Sequence, residues 1–185
     1  MDKINSKKKG SKFERTIAKA FTKWTGYEFS RSPQSGALRW KSTEHIASDV
    51  VCTDPKYERK WNFIIECKSY KDIRFEQTLL ENKTAKVLKF WNQAKEDAER
   101  AKKLPILIMR YNGMPAGEAF FMVDQATAFS IIRDKEQIAK LTKPRMAIQM
   151  DSKTVFYIFL FSDIKSVDIL AVNKAMKARV KELYK

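Results

Sequence analysis

Four side chains in the first half of the chain are of types that do chemistry together: Glu66 and Lys68 in the run IIECKSY, Asp49 in SDVVCT, and Glu14 in SKFERTIAKAF. A strand repeats every two residues, so Ile64, Glu66, Lys68 and Tyr70 share one face while Phe63, Ile65 and Cys67 point to the other. If SDVVCT pairs with that strand as a hairpin, Asp49 converges on Glu66. Two carboxylates held together suit Mg²⁺, which keeps several waters and needs only one or two protein carboxylates plus a substrate phosphate. The backbone carbonyl of Cys67 adds a third candidate oxygen. Such a metal lowers the pKa of its bound water and stabilises charge at phosphorus, with Lys68 placed to orient the water or neutralise developing charge. The spacing therefore supports phosphodiester hydrolysis.

Each residue also has a plainer explanation. Glu66 and Lys68 could be an ion pair on a solvated sheet face, worth ~0.2–1 kcal/mol, but their neighbours on that face, Ile64 and Tyr70, are large and apolar. Asp49 could be an ordinary acid at a turn or strand start. For Glu14 two readings stand open. Ser11-Lys12-Phe13-Glu14 fits the capping box S-x-x-E, in which the glutamate reaches back to the helix N-cap, and catalysis is the other.

The elements that must position these groups can be read from periodicity. Phe13, Ile17, Phe21 and Trp24 form a helical stripe from Ser11 that Gly26 ends. YEFS reads as an edge-like strand, followed by a Ser/Pro/Gly loop carrying Arg31, Arg39 and Lys41. SDVVCT and KWNFIIECKSY flank the turn-like DPKYERK as a hairpin. Thr84 to Lys103 is helical, with Val87, Leu88, Trp91, Ala94 and Ala98 apolar and Lys95, Glu96, Asp97, Glu99 and Arg100 on a solvated face. PILIMRY and AFFMVD are strands joined by NGMPAGE. The order is αβββαβ, followed by a helix over Gln125 to Lys140, a strand over Thr154 to Phe161 and a C-terminal helix through Val172, Met176, Val180 and Leu183.

The 185 residues, 44% of them apolar, can build one domain with its own core. We expect a basic arm over 1–10, a core over about 11–124 and a C-terminal extension over about 125–185. With 37 Lys+Arg against 22 Asp+Glu, the formal charge of +15 calls for a polyanionic partner, and nucleic acid fits better than a membrane surface because no single basic amphipathic helix dominates. Two cysteines make a disulfide framework unexpected, and the apolar runs are too short to span a bilayer. We therefore expect an intracellular, cytoplasmic protein. The single histidine, His45, sits in a polar loop and founds no zinc site. Trp40 could stack on a base or cover a sheet edge. Lys7, Lys8, Lys9, Lys12, Arg15, Arg31, Arg39, Lys71 and Arg74 flank the acids in sequence and are the candidate DNA-binding side, reading shape rather than base identity.

In that order, KKKGSKFER, RSPQSG, SDVV and ECKS resemble the PD-(D/E)xK nuclease superfamily and, within it, the archaeal-type Holliday junction resolvases that also occur in viruses. The resemblance covers about Lys8 to Tyr111. It implies an α/β, restriction-endonuclease-like core with a central mixed sheet flanked by helices. It further implies a Mg²⁺-dependent endonuclease, with Mn²⁺ able to substitute, that acts as a homodimer on branched or four-way DNA. It makes Asp49 and Glu66 metal ligands, Glu14 the helix-one acid near the metal, through water, and Lys68 the catalytic lysine. Ser35 becomes a substrate contact needed for cleavage, Arg31 a phosphate contact, and Gln93 a polar residue close to the site. Other readings are a repair or restriction-like nuclease on the same fold, or a non-catalytic nucleic-acid-binding module. One departure is Ser48, where the family pattern has proline. The chain beyond Tyr111 could extend a dimer interface, bind a DNA arm or complete the core.

Overall fold

The computed structural model describes residues 6–32, 48–79, 85–132, 144–149 and 154–185. Ser35, Arg39, Trp40 and His45 lie outside the described residues, as does the end of the helix expected over Gln125 to Lys140.

Helix α1 (Ser6–Thr25) carries the expected stripe and ends at Gly26, whose φ of +74° is the left-handed turn a helix C-terminus favours and whose N–H donates to the Thr22 carbonyl at 2.9 Å. It starts earlier than the sequence pattern suggests, within the stretch expected to be a basic arm. Lysines are good helix formers and one interior glycine costs only about 1 kcal/mol, so the Lys7–Gly10 run does not stop it. Ser11 therefore lies inside the helix, and the capping box around Glu14 does not form. Glu14 instead belongs to the buried stripe of Phe13, Ile17, Ala18 and Phe21.

Strands β1 (Phe29–Arg31), β2 (Val50–Cys52) and β3 (Phe63–Tyr70) follow, with a short 3₁₀ turn at Glu58–Lys60 between the last two. A short helix α2 (Glu76–Leu79) precedes α3 (Lys86–Ala101), which leads into β4 (Leu104–Tyr111). β4 lies parallel to β3 over its full length, from Phe63↔Leu104 to Tyr70↔Tyr111, with α3 as the crossover that a parallel pair requires. The expected hairpin between SDVVCT and KWNFIIECKSY is present, with Val50 opposite Ile65. The αβββαβ order holds.

The C-terminal third continues the same sheet. After β5 (Phe120–Asp124) come α4 (Gln125–Ile132), β6 (Met146–Gln149), β7 (Val155–Leu160), α5 (Phe161–Ile164) and α6 (Ile169–Leu183). The described strands form one seven-stranded mixed sheet in the order β1-β2-β3-β4-β5-β7-β6, so this region completes the core. Helices α2, α5 and strand β6 were not legible in the sequence pattern. They are single turns or a short edge strand, too brief to show a period.

The sheet separates two apolar layers. Ile65, Ile108, Phe121 and Phe159 face α1, α4 and α6, while Ile64, Leu107, Met122 and Ile158 face α3. Phe21 anchors the first layer, with its ring against Trp24, Phe29, Trp61 and Phe161. Among the described residues no helix is long and apolar enough to cross a membrane. The fold is α/β, a mixed sheet flanked by helices, as expected of a restriction-endonuclease-like core.

Candidate active site

Pairing between β2 and β3 stops at Val50 and Ile65, so β3 emerges there with a bare edge. Two residues ahead of β2 close it. Ser48, buried, accepts from the Ile65 N–H at 2.9 Å and lies within donating reach of the Val50 carbonyl at 2.7 Å and the Ile65 carbonyl at 3.1 Å. The Asp49 N–H donates to the same Ile65 carbonyl at 3.0 Å, and Asp49 Oδ2 accepts the next outward donor, the Cys67 N–H, at 2.8 Å. The serine that departs from the family pattern is thus a strand-to-strand bridge that fixes the residue after it.

In an extended strand the N–H and C=O of one residue point to the same edge. Since the Cys67 N–H faces Asp49, its carbonyl faces that side too. The Cys67 thiol belongs to the apolar layer against α1, and burial, then Asp49, pushes its pKa well up. Cys52 is likewise free and buried, and its thiol is pushed up to about 11, chiefly by burial.

Glu66 lies on the α3 side of β3 and is only 3% exposed. Its Oε1 accepts from Lys68 Nζ and from Gln93 Nε2, the latter at 3.0 Å, and its carboxyl is close enough to Asp49 to hydrogen-bond. Burial first, and the Asp49 charge second, carry the Glu66 pKa up to about 7. Asp49 is also raised, mainly by burial and then by the nearby Glu14, against the lowering effect of the Cys67 N–H. Burial pulls the Lys68 pKa down, but the Glu66 carboxylate outweighs it and the net shift is upward. Lys68 therefore stays charged, with its Nζ also 5.7 Å from the centroid of the Phe90 ring.

Glu14 comes from α1, on the other face of the sheet, and pairs with Arg31 Nε from β1. Gly10, one turn earlier, leaves space at that carboxylate, since a Cβ there would lie 3.6 Å from Glu14 Oε1. Asp49, Glu66 and Lys68 thus meet at one edge of β3, and Glu14 bears on Asp49 electrostatically from the α1 side. Arg31 is engaged by Glu14 and only partly exposed.

Of the other candidate DNA contacts, Lys8, Arg15 and Lys71 are exposed, and Lys9 Nζ donates to Asn112 Oδ1 just beyond β4. Asp97 departs from expectation. Placed by its charge on the solvated face of α3, it is 6% exposed, pairs with Arg100 and bears on Glu66 electrostatically. Its position between Ala94 and Ala101 on the buried stripe was the available signal.

Among the described residues no three His, Cys, Asp or Glu side chains cluster tightly enough to cage a metal unaided. A two-carboxylate edge is nonetheless what a hydrated Mg²⁺ needs. The donors are hard oxygens, and buried Glu66 and half-buried Asp49, whose pKa values are raised by desolvation and by nearby acids, are a pair that a cation would relieve. An open groove lined by Trp91, Lys95, Phe129, Arg179 and Tyr184 lies at the other end of β4 and shares no residue with the acids.

No curated protein and no solved structure matches the chain. Residues 5–174 match the family described as "Phage putative PDDEXK endonuclease", a span that includes Glu14, Asp49, Glu66 and Lys68. The chain belongs to that family and thus to the PD-(D/E)xK nuclease superfamily.

Proposed function

We propose that the protein is a Mg²⁺-dependent, structure-selective endonuclease that resolves four-way DNA junctions, as in recombination and repair, by paired phosphodiester hydrolysis. Mn²⁺ substitutes in the same role. The observation that carries this reading is the convergence of Asp49 and Glu66 at the Cys67 edge of β3, beside Lys68.

Among the described residues each carboxylate has one oxygen committed to a hydrogen bond. Cys67 takes Asp49 Oδ2, while Lys68 and Gln93 both take Glu66 Oε1. The second oxygen of each is left for a shared proton or a cation, with the Cys67 carbonyl as a third donor. When bound, the cation supplies Lewis-acid polarisation of the phosphate and a water of lowered pKa. Lys68 holds its proton and places a fixed positive charge where the pentavalent phosphorus gathers negative charge, a form of preorganised stabilisation. Gln93 fixes the rotamer of Glu66, and Glu14, held by Arg31, presents a further acceptor for a water from the α1 side. Ser35 and Arg31 are assigned to the substrate by resemblance, and Lys8, Lys9, Arg15, Arg39 and Lys71, which flank the acids in sequence, are taken as further phosphate contacts.

Paired nicks on opposing strands need two sites related by a two-fold axis, so the working unit is a homodimer. The test is incubation with a four-way junction, a flap and a linear duplex of the same sequence in Mg²⁺. Preferred, paired cutting of the junction is expected. Equal cutting of all three removes the junction assignment and leaves a repair or restriction-like nuclease. No cutting of any DNA with Mg²⁺ or Mn²⁺ points to a binding module.

A further inference from the structure

Beyond the carboxylates, on the same face of β3, the structure carries a second feature that hydrolysis does not use. Tyr70 and Tyr111 are 39% and 38% exposed and stand directly opposite each other at the ends of the parallel pair β3 and β4. Single exposed aromatics are ordinary. Two side by side, each backed by a further ring, are not. Tyr70 rests against Phe90 at 4.7 Å between centroids, Tyr111 stacks on Phe120 at 6.2 Å, and Phe75 braces Phe120 edge-on at 5.1 Å. This backing fixes the rings before any ligand arrives, so little ordering entropy remains to oppose binding.

The surroundings are cationic. Lys86 Nζ lies 5.7 Å from the Tyr70 ring centroid, Lys68 Nζ is equally close to the supporting Phe90 ring, and Lys71 follows Tyr70, exposed. Lys9 is tied to Asn112, the residue after Tyr111. The nearest acid in sequence, Asp72, is occupied by Arg74 at 2.9 Å. Aromatic faces interleaved with lysines are how proteins hold unpaired nucleotides, the rings taking bases and the ammonium groups taking phosphates. A base inside a duplex has no free face to offer.

At about 3.3 Å per strand residue, Tyr70 lies roughly 7 Å beyond Lys68 and roughly 13 Å beyond Glu66. A strand whose phosphate sits at Glu66 therefore brings a base only a few nucleotides away onto the tyrosines. We propose that Tyr70 and Tyr111 form a stacking platform for an unpaired base close to the scissile phosphate, and that this platform selects branched over fully paired DNA. The proposal rests on the nuclease reading for its position, but binding alone can test it.

The probe is a four-way junction with 2-aminopurine placed in turn at each nucleotide around the branch, titrated with the full chain in EDTA so that cleavage plays no part. Stacking on a tyrosine quenches this base. Quenching at one or two neighbouring positions is expected with wild type. Tyr70→Leu and Tyr111→Leu keep apolar packing but remove the flat ring, and should abolish the quench and weaken junction binding about ten-fold. Tyr70→Phe and Tyr111→Phe should restore both. In Mg²⁺ the junction-over-duplex ratio of kcat/KM should fall about ten-fold in each leucine variant. The proposal is overturned if both leucine variants, shown folded by thermal melting, keep the quench and the junction preference. A tyrosine-dependent quench from a protein that cuts no DNA supports the platform and removes the nuclease reading. Cleavage by wild type without any such quench does the reverse.

Discussion

Held in EDTA, the protein should lose stability as the pH rises from about 5 to about 8, and the cause is Glu66. Its carboxyl titrates near 7 in the folded chain against an ordinary 4.5, because burial and the Asp49 charge disfavour the ionised form. Between those values the native state holds a proton that the unfolded chain has released, so each rise in pH favours unfolding. The contribution is whole below about 4.5 and is lost as the pH passes through about 7. Asp49, also raised, acts with the same sign. Lys68 is raised too, but its contribution is present below 10.5 and lost only at higher pH, outside this window. Glu118 is lowered despite burial, through its bonds to Ser162 and Ala119, so its contribution is lost only as the pH falls below about 4.5. With a single histidine in the chain, little else titrates here.

Moving a carboxyl from 4.5 to about 7 corresponds to roughly 3 kcal/mol at about 1.4 kcal/mol per pH unit. For a chain of this size that is a fall in Tm of roughly 6–12 °C. Calorimetric or dye-monitored melting at pH 5, 6, 7 and 8 in EDTA measures it. Mg²⁺ should flatten the decline at neutral pH by binding the ionised pair, and Glu66→Gln should flatten it without metal. A melting temperature in EDTA that is level or rises across this window, or a slope unchanged in Glu66→Gln, refutes the reasoning.

Asp49→Asn should lower cleavage by roughly a thousand-fold or more, the scale of losing a charge-stabilising contact in the transition state, while junction affinity holds or improves; intact metal-dependent cleavage would remove Asp49 from the ligand set. Lys68→Ala should cost about 10²–10³ in kcat with Mg²⁺ affinity retained by titration calorimetry, and equal losses in both would make Lys68 a scaffold for Glu66 rather than a participant. Asn173→Ala should lower stability by about 1–3 kcal/mol in urea denaturation, because it leaves the Asn62 N–H, the Tyr57 hydroxyl and the Lys60 carbonyl without their partner; a loss below about 0.5 kcal/mol would show that water replaces the side chain.

The αβββαβ order could be read from periodicity because its helices and long strands carry enough apolar positions to show a period. Glu66 and Lys68 stood out for a related reason, since charges within an apolar strand face have to be explained. Glu14 was ambiguous because S-x-x-E has a local meaning that only the true helix start at Ser6 removes. Asp97 lies on the buried stripe of α3 although its charge suits the solvated face. Ser48 looked like a departure from a motif, and nothing local announces that its hydroxyl bridges Ile65. Such contacts depend on where two strands stop pairing, which residue types alone do not specify. The tyrosine pair was hidden for the same reason, because Tyr70 and Tyr111 meet only through the β3–β4 register.

The C-terminal third also bears on how the carboxylates are held. Asn173 on α6 is buried, its Oδ1 accepts from the Asn62 N–H at 2.8 Å, and its Nδ2 donates to the Lys60 carbonyl and the Tyr57 hydroxyl, each at 2.9 Å. Its own carbonyl accepts from Asn62 Nδ2 at 2.8 Å. All three partners lie in the connection that turns β2 into β3. At the C-terminal end of α6, the Tyr184 hydroxyl donates to the Lys103 carbonyl at the mouth of β4, and Trp24 on α1 donates to the Val167 carbonyl just ahead of the helix, at 2.8 Å. One helix therefore fixes the hairpin that carries Asp49 and Glu66, the start of the strand beside it and the helix that carries Glu14. A two-carboxylate site opposes its own assembly, since both acids are partly or fully desolvated and acids neighbour both. The positioning has to come from elements that do not share that cost. α6, tied to the hairpin and to the start of β4 by neutral hydrogen bonds, is such an element, so the extension beyond the αβββαβ core helps to hold the acids together.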